Sequence, residues 1–418
     1  MSGANNYETR WLRIAAQAPL VLGDRSGIGN FKSTLDHIPA RMIMGALACR
    51  QGDSGDDIFA GDQPVIIGNG YPGRAGATWP LPLTARECKR YPGWESDGGR
   101  HNRDHGVYDL LFAELANGLL TDPEAPARDI ILADWPLDEI SWRRNPKIDF
   151  ASCPWPAAGK REPCGEALDI ANGYYSLIDE ATVVPVDSPT VTRRTHVGIN
   201  RRRNVAEDAL LFSQESVEPT QFLAEIRLPQ VRLAQLETLI TGTHYLGRGR
   251  SRGQGAVQME LTRAEDSGPL AERLDRFRSS TNAALNLLAG RPGPGITGQL
   301  FSLTLRTPAI LGRPGEQLRV PAPAQLGIPD ALFVAAWART TIVGGWNIGA
   351  GQPQRTRQAS RQGSVFVFYV PAGALDETAL LARLSELEHT GLGYETADGY
   401  GRVTVCASFH VIKDRLFS

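Results

Sequence analysis

An internal repeat constrains the fold of this chain more than any other feature of its sequence. Residues 14–23 read IAAQAPLVLG, and residues 303–312 read LTLRTPAILG. The proline, the last leucine and the glycine of the two segments coincide at one offset, 289 residues from Pro19 to Pro308. Each segment is typical of a strand that ends at a proline and is followed by a short apolar run.

A second pair of segments repeats a longer order of elements: strand, proline, helix, glycine-rich loop and final strand. The first copy comprises a strand at 222–228, a helical pattern at 233–240, a glycine-rich loop at 242–255 (loop 1) and a strand at 256–261. The second copy comprises a strand at 365–370, a helical pattern at 380–387, a glycine-rich loop at 391–401 (loop 2) and a strand at 402–406. The loop glycines share one offset, 146 residues from Gly253 to Gly399.

Two occurrences of this order predict an α+β protein with two related domains and mixed or antiparallel sheets. We place the first domain at residues 8–265, a helix and linker at 266–294, and the second domain at 295–418. The first copy is longer because of an insertion at about 50–190, which is rich in proline, glycine and tryptophan and has little periodicity. We therefore expect the insertion to be loop-rich.

The composition is typical of a globular protein. Hydrophobic residues make up 42% of the chain and charged residues 22%, which excludes wholesale disorder. No apolar run approaches the ~18–20 residues of a membrane span, and the polar N-terminus lacks the apolar core of a signal peptide. Five cysteines, an odd number, fit a reducing compartment better than a disulfide framework. We therefore expect a cytoplasmic protein with no membrane partner.

Further segments lie between and around the repeated elements. They are DHIPARMIMGALA at 36–48, PLPLTARECK at 80–89, HGVYD at 105–109, THVGINR at 195–201 and ALLF at 209–212. In this order, with the duplicated loops, they resemble the repeat-associated RNA-binding (RAMP) superfamily of CRISPR effector subunits, and most of all the large two-RAMP-domain subunit of type III-D complexes. The resemblance covers most of the chain and implies two ferredoxin-like (RRM-like) domains. The chain departs from the family at Ala40, which usually is Gly, and at Met44, which usually is Lys or Arg.

The resemblance implies an RNA-binding structural subunit of an antiviral CRISPR ribonucleoprotein. Such a subunit would cap the 5′ handle of the guide crRNA and dock the polymerase-like large subunit and the backbone RAMP subunits, with target RNA as a further partner. Two alternatives stay open. One is a RAMP endoribonuclease, which would cleave target RNA with a metal or process crRNA with a histidine, and the other is an assembly subunit that contacts only protein.

Loop 1 is the strongest candidate RNA contact, although the formal net charge of the whole chain is −2. Its glycines Gly247, Gly249 and Gly253 let the backbone approach a phosphate, and Arg248, Arg250 and Arg252 add positive charge without an acidic neighbour. Loop 2 carries Glu395 and Asp398 instead. We therefore expect loop 1 to bind RNA and loop 2 to pack on protein, the alternative being that both are tight turns.

Other arginines extend the expected RNA surface. Arg201, Arg202 and Arg203 follow a strand-like segment that resembles the family's guide-contacting excursion. Arg355 and Arg357 lie in the stretch 340–364, which contains no acidic residue. Arg41 lies at the start of the first helix, where it could support phosphate binding. Without the resemblance, such a charge run usually marks a solvated face.

Cysteines and a histidine of the insertion predict a structural zinc site. Cys88, Cys153 and Cys164 with His105, or with His101 in its place, would make a Cys₃His set. Loop-rich sequence has difficulty building an apolar core, and zinc would supply that stability. The spacings are wide, so unpaired buried cysteines are the alternative.

Catalytic candidates are few. Asp24 and Asp36 lie between the first strand and first helix, where the superfamily's target-cleaving subunits keep an acidic residue. His37, His196 and His244 lie near the expected RNA-facing elements and could act as general bases. Each of these residues alone is more often structural than catalytic, and we favour binding over catalysis. The chain contains no GxxxxGK[ST] phosphate loop, dinucleotide motif or Ser/His/Asp arrangement.

Overall fold

The structure is a computed structural model. It describes residues 7–23, 30–52, 57–61, 63–74, 76–94, 104–135, 149–155, 163–200, 205–263, 268–347 and 352–416. The strands are β1 (Tyr7–Ala16), β2 (Phe31–Lys32), β3 (Ile66–Pro72), β4 (Ala77–Pro80), β5 (Ala85–Cys88), β6 (Val107–Asp109), β7 (Leu168–Ile170), β8 (Tyr174–Leu177), β9 (Val183–Val186), β10 (Val191–Asn200), β11 (Val205–Val217), β12 (Gln221–Pro229), β13 (Thr243–Tyr245), β14 (Ala256–Thr262), β15 (Gln299–Leu305), β16 (Leu332–Trp337), β17 (Thr340–Val343), β18 (Trp346–Asn347), β19 (Gln352–Pro353), β20 (Arg357–Ser360), β21 (Val365–Val370) and β22 (Val403–Val405). The helices are α1 (Ala40–Gln51), α2 (Leu111–Thr121), α3 (Arg128–Ile131), α4 (Leu233–Ile240), α5 (Leu270–Ala289), α6 (Pro323–Leu326), α7 (Glu377–Thr390) and α8 (Ser408–Ile412), with short 3₁₀ turns at Gln230–Arg232, Arg250–Arg252 and Thr396–Asp398.

The first copy of the repeat forms a five-stranded antiparallel sheet in the order β13-β14-β1-β12-β3. Numbered along the chain, its four longer strands lie in the order fourth, first, third, second. Because side chains alternate along a strand, β1 turns Leu12 and Ile14 to the face that α1 and α4 cover. Trp11 faces the opposite side, where it packs edge-on against Trp79 of the insertion. The strand is therefore buried on the face of Leu12 and Ile14 and, at Trp11, also on the opposite face.

The second copy forms a four-stranded antiparallel sheet in the order β16-β21-β15-β22. Its strands have the same fourth, first, third, second order along the chain. Every residue of β21 is buried, which explains its unbroken apolar sequence VFVFYV. The four-residue α6 lies between its first two strands, and the 20-residue α5 packs on β15 and α7. The protein is therefore an α+β protein with several antiparallel sheets.

The insertion contains one helix that its weak overall periodicity did not indicate. Residues 110–120 read LLFAELANGLL, which is apolar on most sides of a helix and suits burial on several faces. The resulting α2 packs against α5, and the rings of Phe112 and Phe277 lie 5.0 Å apart. Leu115 and Leu119 of α2 share one core with Leu300 of the second sheet. The rest of the described insertion contains strand β3 of the first main sheet, the short helix α3, the small sheets β4-β8-β9 and β6-β5-β7, and loops.

A buried ion pair joins the two main sheets. Arg306, at the end of β15, places Nη1 2.6 Å from Oε2 of Glu225 on β12, and Arg227 also pairs with Glu225 at 2.9 Å. Burial favours the neutral acid, but Arg306 and Arg227 outweigh it and lower the pKa of Glu225 to about 2. The Arg306 guanidinium also stacks 3.6 Å from the Trp79 ring centre. Removing one partner of such a pair costs about 3–5 kcal/mol, so the two sheets are firmly connected.

In the described part of the chain, helices are too short or too polar to cross a membrane.

Candidate nucleic-acid interface and metal centre

Loops 1 and 2 have the same backbone conformation at equivalent positions. The left-handed residues are Gly247 (φ 78°), Gly249 (89°), Gly253 (75°) and Gly255 (88°) in loop 1, and Gly393 (89°), Glu395 (56°), Gly399 (89°) and Gly401 (69°) in loop 2. A single 3₁₀ turn occupies the same place in each loop, at Arg250–Arg252 and Thr396–Asp398. The repeat therefore extends from the sequence to the backbone structure.

Both loops attach to the apolar run after the first strand of their own copy. The amide of Arg248 donates to the carbonyl of Val21 (3.0 Å), and the amide of Tyr394 donates to the carbonyl of Ile310 (2.8 Å). A Cβ atom on Gly247 would overlap the carbonyl oxygen of Val21. Glycine is needed there because the loop backbone approaches the strand too closely for a side chain. The first strand with its apolar run (repeated after 289 residues) and the glycine-rich loop (repeated after 146 residues) are thus parts of one structural unit.

Loop 1 presents its arginines to solvent. Arg248, Arg250 and Arg252 are all exposed, and within the described chain none of their guanidinium groups pairs with a carboxylate. Arg250 lies over the ring of Tyr245, with 4.2 Å to the ring centre. Arg248 lies beside Gly23, where a Cβ atom would be 3.3 Å from its Nε. The charge on this loop is therefore available to an anion.

A surface of alternating cations and aromatic rings continues from loop 1, and we call it the basic–aromatic strip. It consists of Phe31, Lys32, Arg193, Phe212, Tyr245, Arg250 and Arg252. Lys32 lies 4.7 Å from the ring centre of Phe212, and Arg252 lies 5.9 Å from the same ring. Arg193 lies 4.6 Å from the ring centre of Phe31. Such pairs are favourable at exposed sites by about 0.5–1 kcal/mol.

Strand pairing brings the members of the strip together. β2 lies parallel to β11, with Lys32 opposite Gln214, and β10 pairs with β11 along its length. The side-chain amide of Gln214 donates to Gln254 of loop 1 (3.3 Å), which connects the loop to this sheet. Phe31 is 45% exposed and Tyr245 is 42% exposed, so both rings are accessible to a stacking partner.

A groove of about 760 Å³ runs beside loop 1, and we call it the α1 groove. Met42, Met44 and Arg50 of α1 line one side, and Tyr245, Arg248 and Arg250 line the other. With Arg41, which also lines it, the groove combines apolar and aromatic side chains with four guanidinium groups. This is the combination that holds a single-stranded nucleic acid.

Loop 2 has a different environment, because it packs on the first copy of the repeat. Gly399 lies against Ala40 so closely that a Cβ atom would overlap it, and Ala40 is buried. The amide of Ala40 donates to Oδ1 of Asn69 at 3.0 Å. Arg41 donates to Gln354 and to the hydroxyl of Tyr400 (3.1 Å). The N-terminus of α1, considered above for phosphate binding, is thus covered by loop 2.

The structure places the remaining arginine candidates separately. Arg357 pairs with Glu395 of loop 2 at 3.2 Å, whereas Arg355 is exposed. Arg201, Arg202 and Arg203 lie outside the described residues.

Four candidate metal ligands of the insertion meet at one point, and we call them the Cys/His cluster. The ligand atoms of Cys88, His105, Cys153 and Cys164 all lie within 4.8 Å of one another. Nδ1 of His105 lies 3.1 Å from Sγ of Cys153, and Sγ of Cys88 lies 4.0 Å from Sγ of Cys164. A tetrahedron with 2.3 Å Zn–S bonds has edges of about 3.8 Å, so the measured spacings bracket those of a bound ion. His101, the alternative ligand, lies outside the described residues.

The secondary structure explains why these ligands converge. Cys88 ends β5, His105 lies just before β6, and Cys164 lies shortly before β7, and these three strands form one small sheet. Cys153 is held nearby, because its amide donates to the carbonyl of Glu166 (2.8 Å). Burial raises the pKa of the Cys153 thiol to about 12 and lowers the pKa of His105. A buried Cys/His cluster of this kind could hold a metal ion.

The catalytic candidates are dispersed. Asp36 bonds to Nδ1 of its neighbour His37 at 2.9 Å, whereas His196 stacks on Phe212 with ring centres 5.1 Å apart. His244 is buried between α4 and β14, and burial lowers its pKa. Asp24 lies outside the described residues. Among the described residues, the Cys/His cluster is the one group of three or more candidate metal ligands, and it contains no carboxylate.

Sequence reasoning missed four members of the basic–aromatic strip: Phe31, Lys32, Phe212 and Tyr245. Their one sequence signal is an aromatic residue next to a basic residue at Phe31-Lys32. Phe212 joins the strip through strand pairing across about 180 residues, which the sequence pattern does not reveal, whereas Tyr245 joins it through its contact with Arg250 in loop 1.

Comparisons with known proteins give one family. Residues 176–406, more than half of the chain, match the family model described as CRISPR-associated protein (Cas_Cmr3). No curated protein matches the chain. Among solved structures, a chain of the type III-B Cmr-beta complex bound to cognate target RNA and AMPPnP is 11% identical, with a TM-score of 0.37 over 85% of this chain and 86% of that chain. A chain of the apo Cmr-beta complex is 12% identical, with a TM-score of 0.28 over 61% and 97%. Because both TM-scores are low, we draw no conclusion from these two structural matches.

Proposed function

The chain belongs to the CRISPR-associated Cas_Cmr3 family, and from this membership we propose that it is an RNA-binding structural subunit of a type III CRISPR effector ribonucleoprotein. Its RNA is the guide crRNA, whose 5′ handle it binds and caps. One observation carries this proposal: loop 1 exposes three arginines that pair with no carboxylate among the described residues, beside a strip of accessible aromatic rings, whereas the equivalent loop 2 has no arginine and packs its Gly399 on α1.

The binding mechanism uses three kinds of contact. The open backbone of loop 1 lets phosphate oxygens approach main-chain amides, which glycine permits. Arg248, Arg250 and Arg252 add charge-assisted hydrogen bonds to those phosphates. Phe31 and Tyr245 offer their faces to unpaired bases, and each stacked base contributes about 1–3 kcal/mol. Reading of the target sequence is left to base pairing by the guide.

The proposal includes the assembly around the chain. Both main sheets are ferredoxin-like RAMP domains, at 8–265 and 295–418, with α5 in the segment 266–294 that joins them. The partners are the polymerase-like large subunit and the backbone RAMP subunits, with target RNA near the guide. The subtype is type III-D-like, as the sequence resemblance implies. A polymerase-like gene and a CRISPR array of that subtype beside the coding sequence test this part.

A triple substitution tests RNA binding. Arg248, Arg250 and Arg252 are changed to Ala, and the control changes three partly exposed arginines that pair with carboxylates, Arg276, Arg278 and Arg383. Loss of three phosphate contacts lowers the slope of log affinity against log salt by about 2 for single-stranded RNA. Affinity for a guide RNA with its 5′ handle is measured from 50 to 200 mM salt. Equal slopes for the two triple variants would sink the proposal, and crosslinks only to protein would favour an assembly subunit.

An endoribonuclease is the second candidate, and the contact between Asp36 and His37 is the observation that favours it. A histidine held by a carboxylate can take a proton from a 2′-hydroxyl. Because the contact joins adjacent residues and His37 is mostly buried, we rank this candidate below binding. The test is cleavage by the assembled complex. Cuts that disappear in Asp36→Ala and His37→Ala, with assembly intact, would establish the nuclease.

Zinc is the ion we assign to the Cys/His cluster, with a structural role in the sheet β6-β5-β7. Three thiolates and one imidazole form a set that zinc prefers. Metal analysis of the purified chain should give about one equivalent of zinc, and a chelator should lower the unfolding temperature. Cys88→Ser should lose the metal, whereas the exposed Cys49→Ser keeps it. Less than about half an equivalent in the unmodified chain would count against zinc.

A further inference from the structure

A second cavity, of about 390 Å³, lies where four parts of the molecule meet, and we call it the inter-sheet pocket. Its walls come from the segment before α1, the sheet β4-β8-β9, strand β17 and loop 2. The pocket adjoins the α1 groove, because Arg41 and Asp398 line both. A nucleotide bound at this end of the groove would therefore lie beside the pocket. Binding by loop 1, as proposed above, makes no use of this cavity.

The most distinctive polar group of the pocket is the carboxylate of Asp36. Its side chain is 50% exposed, so a ligand can reach it. Nδ1 of His37 lies 2.9 Å from Oδ1, and the hydroxyl of Tyr174 also bonds to this carboxylate. Burial opposes ionisation, but the bonds from His37 and Tyr174 outweigh it and lower the pKa of Asp36. At neutral pH the pocket therefore contains an ionised group that only accepts hydrogen bonds.

The remaining walls suit a flat ring. Pro39, Pro80, Leu81, Pro308 and Ile342 supply apolar surface on several sides. Polar groups line more of the pocket than these apolar side chains do, so the pocket suits a ligand that combines flat faces with several hydrogen-bonding groups. A ligand here needs flat faces and hydrogen-bond donors along one edge.

Guanine has those donors in the arrangement that a carboxylate requires. Its N1–H and its N2 amino group lie side by side, so both can donate to the two oxygens of one carboxylate. On the Watson–Crick edges of adenine, cytosine and uracil, each donor lies next to an acceptor, which would repel the second oxygen of the carboxylate. Unstacked bases in RNA are commonly recognised on this edge.

We propose that the inter-sheet pocket binds a guanine base through Asp36. The base comes from the RNA strand in the α1 groove, or from a free guanine nucleotide, and the recognition chemistry is the same in both cases. The first source rests on the proposed function, whereas the second does not.

The test measures the affinity of the full chain for octauridine and for the same octamer with one central guanosine or inosine. Guanosine should raise the affinity about tenfold, at the lower end of what a bidentate base contact provides. Inosine lacks the N2 amino group and should give a smaller gain. Asp36→Asn should remove the gain, because its amide presents a donor to N1–H. Asp330→Asn changes an exposed carboxyl outside the pocket and should keep it.

Guanosine and adenosine monophosphates provide the second arm. If the base comes from RNA, guanosine monophosphate competes with the guanosine octamer. If a free nucleotide is the ligand, it binds selectively and leaves octauridine binding unchanged. Both results support the proposed guanine pocket if Asp36→Asn removes the selectivity.

Equal binding of all octamers together with equal binding of both nucleotides overturns the proposal. The inosine comparison needs no variant, so it decides the question even if Asp36→Asn does not fold. Loss of all octamer binding with nucleotide selectivity retained would contradict the proposed function alone.

Discussion

Loops 1 and 2 share a backbone conformation but differ in their contacts with the rest of the protein. Arg248, Arg250 and Arg252 of loop 1 correspond to Tyr394, Thr396 and Asp398 of loop 2 at the 146-residue offset. The arginines are exposed, as are Tyr394 and Asp398, but loop 2 also packs Gly399 on α1 and bonds Tyr400 to Arg41. The duplicated element has kept the hydrogen bonds that fix its shape and has changed the side chains that determine its partner. Shape alone therefore does not reveal which copy meets RNA.

The different packing of the two loops should have its largest effect on the free energy of unfolding when the equivalent glycines Gly253 and Gly399 are substituted. Both have a positive φ, which costs about 1–2 kcal/mol when a Cβ is present. A Cβ on Gly253 meets nothing within 4 Å, whereas one on Gly399 overlaps Ala40. Gly253→Ala should therefore lower the free energy of unfolding by about 1 kcal/mol, and Gly399→Ala by about 3 kcal/mol or more because overpacking adds to the strain.

Urea unfolding of both variants checks this prediction. Equal losses would mean that loop 2 is no more tightly packed than loop 1. Gly373→Ala, at a positive φ with nothing nearby, is a control for the backbone cost alone.

The contact between the copies should also depend on pH through Glu225. Its pKa is lowered to about 2 from an ordinary value of 4.5, so its stabilising effect is fully present above pH 4.5. The effect is lost as the pH falls through the lowered pKa. The difference between the ordinary and the lowered pKa of Glu225 corresponds to about 3 kcal/mol in the free energy of unfolding. Unfolding measured from pH 7 to pH 2 should show this loss, and Glu225→Gln should lack its share of the pH dependence. A Glu225→Gln profile that parallels the unmodified chain would contradict the assignment.

Exchanging the charged residues of the two loops tests whether loop 1, and not loop 2, binds RNA. Arg252→Asp gives loop 1 the residue of loop 2 and should weaken RNA binding about tenfold, since it removes a phosphate contact and adds repulsion. Asp398→Arg should strengthen binding by a smaller factor, because Asp398 lines the α1 groove. Affinities for guide RNA at fixed salt check both changes. An unchanged affinity in Arg252→Asp would show that the arginines of loop 1 do not face the RNA.

The repeat could be predicted from the sequence because its geometry demands particular residues. Gly247 and Gly255 are needed where the loop backbone meets carbonyl groups of Val21 and Leu246, and such demands leave a visible pattern. A helix was also expected in the segment 266–294, where α5 lies. The Cys/His cluster could be predicted by residue type, but the convergence of its four ligands becomes visible only in the sheet β6-β5-β7.

Features that depend on distant pairing could not be predicted. The packing of α2 against α5 joins segments about 160 residues apart. A local sequence pattern predicts that a helix has an apolar face but not which distant helix packs against that face. The basic–aromatic strip likewise depends on β2 lying beside β11. Arg41 was expected to meet phosphate, and its bonds to Tyr400 and Gln354 become visible only when loop 2 is seen to cover α1.

Glu395 shows how far loop 2 has departed from its counterpart, and it provides the smallest expected effect. It occupies the left-handed position that Gly249 holds in loop 1, which costs about 1–2 kcal/mol for a residue with a side chain. Its ion pair with Arg357 at 3.2 Å is partly exposed and returns about 0.2–1 kcal/mol. Glu395→Gly should therefore raise the free energy of unfolding by about 0.5–1 kcal/mol. Urea unfolding beside Glu395→Gln, which loses the ion pair but keeps the strain, separates the two contributions. A destabilised Glu395→Gly would mean that the ion pair outweighs the strain and that loop 2 depends on it.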